Sequence, residues 1–165
     1  MSEKIVIDLT ENIAHAGSEL HFEGEYSLPD DLLPYPNSAL DKVAFEATVT
    51  FTNPNVLIDG AITCFVSGFC DRCLERVTTQ IELPFKQIFF KDSGLESDDY
   101  VYFNSLLDAT KAVSDEIVLS MPISLLCKDD CKGLCPKCGR NLNNGTCDCD
   151  SSKENPFSIL KNLKF

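Results

Sequence analysis

The spacing of the cysteines constrains this chain more than any other feature of its sequence. Nine of its 165 residues are cysteines. Six of these lie close together near the C-terminus: Cys127, Cys131, Cys135, Cys138, Cys147 and Cys149. A separate pair, Cys70 and Cys73, repeats the Cys-x2-Cys spacing of Cys135 and Cys138. In such a turn both sulfurs face one point and can bind one cation at about 2.3 Å. We therefore expect the C-terminal part of the chain to fold around metal.

The segment Cys135-Pro136-Lys137-Cys138-Gly139 carries the strongest signal for a metal site. Pro136 fixes φ within the turn, and Gly139 permits the backbone geometry that aims amide N–H groups at the thiolates. Such N–H···S contacts form the outer shell of a metal site. Four thiolates favour zinc, with a single iron ion or an iron–sulfur cluster as the alternative. Zinc is favoured because no flavin motif or second redox group accompanies the cysteines.

Two ligand assignments fit the spacing. In the favoured one, two zinc ions are bound, the first by Cys135, Cys138, Cys147 and Cys149 and the second by Cys70, Cys73, Cys127 and Cys131. In the alternative, Cys70, Cys73 and two cysteines of the tail bind one zinc ion and the others bind none. A site with four protein ligands leaves no open position for a reactive water, so the zinc is expected to be structural.

Disulfides explain these cysteines less well than metal does. An odd total fits a disulfide framework badly. An alternating apolar run follows Met1-Ser2-Glu3-Lys4, where a signal peptide would have a continuous apolar core, and no stretch reaches the roughly 20 apolar residues that cross a bilayer. We therefore expect a cytoplasmic protein with reduced thiols and no membrane partner. The ninth cysteine, Cys64, shares parity with apolar residues of its strand and is expected in the core.

Apolar residues alternate at period two over most of residues 1–103, which predicts strands with one buried face. The predicted strands are 4–9, 20–26, 43–51, 56–66, 76–85 and 100–103. A turn is predicted at residues 53–55, and a loop at residues 27–41.

Helical spacing predicts one main helix at about 108–121, with Asp108 as N-cap and Pro122 after its end. A second short helix is predicted at 156–163, with Asn155 as cap and Pro156 in its first turn. The predicted fold class is α+β, a mainly antiparallel sheet, twisted or barrel-like, with one main helix and a C-terminal zinc-binding module.

The charge divides the chain into the same two parts. The net charge is -12, made up of -14 in residues 1–126 and +2 in residues 127–165, where seven basic and five acidic residues lie. We expect residues 1–126 to form an acidic β domain, with the zinc module of residues 127–165 packed on it as one unit. This acidity argues against a protein that coats nucleic acid and suits a basic partner. Four basic residues of the module either contact RNA phosphates, as in zinc knuckles, or only aid solubility: Lys128, Lys132, Lys137 and Arg140.

Motifs of known catalytic sites are absent from the sequence. We find no phosphate-binding loop, no nucleophile elbow and no dinucleotide-binding fingerprint. The only two histidines are His15 and His21, neither near an obvious nucleophile, and the acidic group Glu96, Asp98 and Asp99 is typical of a solvated loop more than of a cation site. We expect a binding protein without a small-molecule substrate, and no enzyme.

Several of these segments resemble the YceD family, also known as the domain of unknown function 177 family. They are residues 70–75 (CDRCLE), 115–122 (DEIVLSMP), 131–143 (CKGLCPKCGRNLN), 147–149 (CDC) and 155–157 (NPF). The resemblance is specific over residues 64–165 and extends to residues 1–63 by architecture only. It supplies no catalytic residue.

The resemblance implies a role in the processing and accumulation of large-subunit (23S) rRNA, in which members of the family are implicated. Members of the family are also often encoded beside a large-subunit ribosomal protein. It therefore predicts a zinc-binding ribosome-biogenesis factor whose partner is the large-subunit rRNA precursor, a basic ribosomal protein, or both. The alternatives are a zinc-ribbon adaptor in transcription or in another protein–protein interaction, and an iron or redox protein.

Overall fold

The computed structural model describes residues 4–10, 16–28, 33, 38–92 and 100–149. Within these residues the elements, in chain order, are β1 (Val6–Asp8), β2 (Glu19–Tyr26), β3 (Ala39–Leu40), β4 (Val43–Phe51), β5 (Val56–Phe69), β6 (Arg76–Lys91), β7 (Val101–Tyr102), β8 (Leu106–Asp108) and α1 (Thr110–Ser120).

Six of the strands form one sheet. Its order is β2-β4-β5-β6-β7, with β3 also paired to β5, while β1 and β8 form a separate antiparallel pair. All pairs are antiparallel except β6 with β7, which run parallel. The predicted mainly antiparallel α+β fold is confirmed for the described part of the chain.

The β5–β6 hairpin is the longest element pair of the sheet and positions the first cysteine pair. Its register runs without interruption from Val56 opposite Phe89 to Phe69 opposite Arg76. Cys70 and Cys73 lie in the turn that follows directly, so the hairpin carries both thiols to one end of the sheet.

The core lies on the inner face of the sheet, under the alternating apolar residues that the sequence indicates. In β4 every second residue from Val43 to Phe51 is buried, and Phe45 meets Phe85 of β6 edge to face, with ring centroids 5.2 Å apart. Helix α1 closes the core with buried Ala112, Val113 and Ile117. Cys64 is fully buried within this cluster, as its parity indicates.

Several predicted boundaries need correction. The N-cap of α1 is Ala109, without a side-chain cap, because Asp108 ends strand β8 and its carboxylate accepts a hydrogen bond from the Thr110 backbone N–H at 3.0 Å. The helix ends at Ser120, since Met121 is extended before Pro122. Strands β5 and β6 both run past their predicted ends. The predicted strand 100–103 is reduced to β7, and the predicted loop 27–41 contains β3.

The extension of β6 has a physical reason. Pro84 cannot donate a ladder hydrogen bond, and a strand tolerates proline beside an open edge. In the structure β7 pairs only with Phe90 and Lys91 of β6, so Pro84 lies where that side of the strand carries no neighbour among the described residues. The predicted turn at residues 53–55 is present, with the Thr52 N–H donating to the Asn55 carbonyl at 2.9 Å.

Some predictions fall outside the described residues. These are the second helix at 156–163 with its cap Asn155, His15, and the acidic group Glu96, Asp98 and Asp99. Within the described part of the chain, no helix is long and apolar enough to span a membrane.

Candidate metal centres

A tight turn at residues 70–75 presents the first two thiols. The Cys70 N–H donates to the Glu75 carbonyl at 2.8 Å, and the Leu74 N–H donates to the Cys70 carbonyl at 2.9 Å. Leu74 adopts a left-handed conformation with φ of 59°, which lets the chain reverse within this short span. Cys70 and Cys73 are both buried as a result.

The chain returns to this turn after helix α1. Asp71 and Leu125 exchange two hydrogen bonds: the Asp71 N–H donates to the Leu125 carbonyl at 2.9 Å, and the Leu125 N–H donates to the Asp71 carboxylate at 2.8 Å. The Leu125 side chain is 2% exposed and packs over Gly68 at the end of β5. Cys127 follows two residues later, so this contact places the tail thiols beside the hairpin thiols.

Four thiols meet at this point in what we call metal site 1, formed by Cys70, Cys73, Cys127 and Cys131. Their sulfur atoms all lie within 4.8 Å of one another. The Sγ atoms of Cys70 and Cys131 are 3.8 Å apart, and those of Cys73 and Cys127 are 3.6 Å apart. Four thiolates bound tetrahedrally at about 2.3 Å would lie about 3.8 Å from each other. The cluster therefore has the dimensions of a four-thiolate metal site.

Hydrogen bonds to and from Arg72 hold the tail around the hairpin turn. The Arg72 guanidinium donates to the Cys131 carbonyl at 3.1 Å and to the Asp129 carbonyl at 3.4 Å. In return the Leu134 N–H donates to the Arg72 carbonyl at 3.1 Å. Gly133 has φ of 72° and lies so near this carbonyl that an added Cβ would be 3.0 Å from its oxygen. Both the conformation and the space favour glycine there.

The remaining four thiols form metal site 2, which consists of Cys135, Cys138, Cys147 and Cys149. Their sulfur atoms also lie within 4.8 Å of one another. The Gly139 N–H donates to the Cys135 carbonyl at 2.9 Å, and Gly139 has φ of 72°. Cys135 is buried, Cys138 is exposed, and the other two are half-buried. Site 2 therefore lies nearer the surface than site 1, of which only Cys127 is not buried.

The two sites share an electrostatic pattern. Burial raises the pKa of Cys70, but backbone N–H groups of Cys127, Cys73 and Arg72 outweigh it and bring that pKa to about 6. Backbone N–H groups of Cys138 and Lys137 lower the pKa of Cys135 to about 6. One thiol in each site is therefore mainly ionised at neutral pH.

Another thiol in each site resists ionisation. Burial, followed by the neighbouring thiols, raises the pKa of Cys127 to about 12. Contact with Cys138 is the main cause that raises the pKa of Cys149 to about 12. A bound cation would remove this resistance, because it offsets the repulsion among the thiolates.

The structure also places the other residues singled out in the sequence. Cys64 lies in the core, away from both metal sites. His21 is exposed, and its Nδ1 lies 3.1 Å from the Thr48 hydroxyl. The four basic residues of the tail, Lys128, Lys132, Lys137 and Arg140, are all exposed. Lys128 forms an ion pair with Asp130 at 3.7 Å.

Sequence reasoning missed the residues that surround the thiols. Asn143 donates from Nδ2 to the Cys131 sulfur at 3.3 Å, and this contact is the main cause that lowers the pKa of Cys131. Asn141 donates from Nδ2 to the Glu75 carboxylate at 2.7 Å. The run Asn141-Leu142-Asn143 is a recognisable turn signal. The target of its side chains depends on which segments meet in three dimensions.

The part of the chain that carries both metal sites is also the part that matches known proteins. Residues 58–164 match the family model described as large ribosomal RNA subunit accumulation protein YceD. An uncharacterized protein of Mycobacterium tuberculosis is 30% identical over 97 residues, which cover 55% of this chain and 47% of that protein. The chloroplastic large ribosomal RNA subunit accumulation protein YCED homolog 1 of Arabidopsis thaliana is 35% identical over 77 residues, or 44% of this chain and 24% of that protein.

The homologous protein of the same name from Zea mays is 33% identical over 76 residues. The aligned segments thus span about half or less of the length of these curated relatives. No solved structure matches the chain.

Proposed function

Because the chain belongs to the YceD family, described as large ribosomal RNA subunit accumulation proteins, we propose that it is a non-enzymatic zinc-binding factor for the processing and accumulation of large-subunit (23S) rRNA. The observation that carries the proposal is the extent of the family match. Residues 58–164 contain all eight clustered thiols, helix α1 and the β5–β6 hairpin apart from the first two residues of β5. The family assignment and the thiol clusters therefore concern one unit of structure.

Two zinc ions are proposed as the metal, one in each site. Sets of four soft thiolates with tetrahedral dimensions favour Zn²⁺ among the metals of the cytoplasm, where we propose that the protein acts. With four protein ligands each, both ions would be structural. Zinc in site 1 would clip the tail to the end of the hairpin, so that the zinc module of residues 127–165 packs on the acidic body of residues 1–126 as one unit.

The outer face of the sheet supports a basic partner. Glu23 of β2 and Glu46 of β4 lie directly opposite each other, and no ion pair neutralises either of them among the described residues. Like charges in this position repel each other. They border a shallow depression of about 630 Å³. A lysine or arginine side chain would relieve the repulsion, so we propose a basic ribosomal protein as the partner of this face.

Zinc binding would make the tail more negative, which would weaken its attraction to the phosphates of RNA. A Zn²⁺ ion with four thiolates carries two net negative charges, so the ion in site 2, whose four ligands all belong to the tail, would by itself offset the +2 of residues 127–165. Contact with the rRNA precursor is therefore proposed only at the exposed side chains Lys128, Lys132, Lys137 and Arg140, and as the weaker of the two interactions.

Depletion and complementation test the function. Loss of the protein is expected to reduce mature 23S rRNA and to increase its precursors. Wild-type protein should restore both, whereas a Cys70→Ser, Cys73→Ser variant should not. The matched control is Cys64→Ala, which removes a thiol outside both sites. Normal rRNA levels and precursors on depletion would contradict the proposal and would favour a zinc-ribbon adaptor with another role.

Capture of partners from nuclease-treated lysate tests the acidic face. A basic ribosomal protein should remain bound without RNA, and Glu23→Gln with Glu46→Gln should weaken its capture. Asp129→Asn with Asp130→Asn removes the same charge from the tail and should leave capture unchanged. Loss of every ribosomal protein on RNA removal would count against direct docking of a protein.

A further inference from the structure

Asn143 belongs to one metal site by sequence and to the other by contact. It lies between Cys138 and Cys147, in the loop whose two ends are ligands of site 2. Its side chain nevertheless reaches site 1, where Nδ2 is 3.3 Å from the sulfur of Cys131. Its Oδ1 accepts a hydrogen bond from the Lys132 backbone N–H at 2.9 Å. Because that backbone group can only donate, the amide is oriented with its NH₂ group towards the sulfur.

Asn141 connects the same loop to the other half of site 1. Its Nδ2 donates to the Glu75 carboxylate at 2.7 Å, two residues after Cys73. Its Oδ1 accepts from the Asn143 backbone N–H at 2.9 Å. The loop therefore contacts the hairpin half of site 1 through Asn141 and the tail half through Asn143, and one hydrogen bond joins the two asparagines.

The C-terminal end of this loop carries two thiols of site 2, Cys147 and Cys149. The Leu142 N–H donates to the Gly133 carbonyl at 2.9 Å, which holds the beginning of the loop. Beyond Asn144, none of the described residues up to Cys149 donates a hydrogen bond from its backbone N–H to a backbone carbonyl. Metal bound to Cys147 and Cys149 would fix this end and would reduce the entropy that the loop loses when it orders.

We propose that the two metal sites are thermodynamically coupled and that Asn143 is the positioning residue that couples them. The inference rests on the proposed metal binding. Metal in site 2 closes the loop, the ordered loop holds the Asn143 amide on Cys131, and that N–H···S bond stabilises the thiolate that site 1 needs. By linkage, metal in site 1 strengthens binding at site 2 by the same factor.

The variants separate the sulfur contact from the fold of the loop. Asn143→Asp keeps an acceptor for the Lys132 N–H but loses the donor to Cys131. Asn143→Ala loses both and adds no charge. Asn144→Ala is the matched control, because Asn144 is the next residue of the turn, is exposed and makes no side-chain hydrogen bond among the described residues.

NMR of the full chain loaded with cadmium reports each site separately, and competition with a chelator gives the affinity of each. Asn143→Asp and Asn143→Ala should both lower the cadmium affinity of site 1 by about 10- to 100-fold. Both should also shift the resonance of site 1 and leave that of site 2 in place, which shows that the module is folded. Asn144→Ala should change neither affinity.

Weakening site 2 tests the coupling itself. Cys149→Ser should lower the affinity of site 1 in the wild-type background, but it should lower it no further in the Asn143→Ala background. An unchanged affinity of site 1 in either Asn143 variant would overturn the proposal, as would an equal loss in Asn144→Ala. A Cys149→Ser variant with undiminished affinity at site 1 would also overturn it. Absence of any bound metal in the wild-type protein would instead refute the proposed zinc binding.

Discussion

A methyl group added at Gly68 would collide with Leu125, the residue through which the tail packs on the end of β5. The added Cβ would lie 2.7 Å from Leu125 Cδ1, and the next nearest atom, the Cβ of Ser38, would be 3.7 Å away. Carbon atoms in contact prefer about 3.5–4.0 Å, so Leu125 would have to move by about 1 Å. We expect Gly68→Ala to reduce the free energy of unfolding by about 1–3 kcal/mol.

The same contact predicts a coupled pair of substitutions. Leu125 is 2% exposed, and Leu125→Ala should cost about 2–5 kcal/mol, through lost burial and the cavity that remains. The atom that it removes is the one that collides with a methyl at position 68. In the double variant the collision is relieved and the methyl fills part of the cavity. The loss should therefore be smaller than the sum of the two single losses by about 1–3 kcal/mol.

Urea unfolding of the zinc-loaded protein, with zinc content measured in parallel, provides the four free energies. Ile123→Ala is the control, because this apolar residue two positions earlier is 101% exposed and should change stability by less than about 0.5 kcal/mol. Single losses that add up within about 0.5 kcal/mol would refute the reasoning, since they would show that Gly68 and Leu125 do not contact each other in solution.

Three further substitutions test the core and one surface interaction. Phe45→Ala should cost about 3–5 kcal/mol in urea unfolding, because its ring is buried against Phe85. Cys64→Ser should cost about 1–3 kcal/mol, since it buries a hydroxyl in an apolar cluster, and should leave the zinc content unchanged; lost zinc would make Cys64 a ligand. Hydrogen bonds, first from Lys111, lower the pKa of Asp115. The difference in free energy of unfolding between wild type and Asp115→Asn should therefore be largest above about pH 5, where the carboxylate is ionised, and should disappear below about pH 4. A difference that does not change with pH would contradict this.

The parts of the fold that could be predicted are those in which one face of an element is buried. The alternation in β4 identified its buried residues because every second side chain faces the core. The end of β5 was missed because Phe69 is apolar yet exposed, which hides the alternation. The parallel pairing of β7 could not be predicted, because strand order does not follow from alternation.

The candidate metal sites divide in a similar way. Local spacing indicates site 2, because its four thiols lie within one short segment. Site 1 joins Cys70 to Cys131 across the whole of β6 and α1, and spacing alone left open a second arrangement with a single ion. The residues around the thiols could not be predicted for the same reason. The hydrogen bonds from Asn143 to Cys131 and from Asn141 to Glu75 form only when the tail lies on the hairpin.

Metal analysis tests the central claim most directly. Protein produced without added zinc is measured for bound metals by elemental analysis and by native mass spectrometry. The account predicts about two equivalents of zinc per chain in wild type. It predicts fewer when site 2 is removed by Cys147→Ser with Cys149→Ser, and still about two in the Cys64→Ala variant. One equivalent in wild type would support a single shared site, and a chain that contains no metal, or iron in place of zinc, would contradict the account.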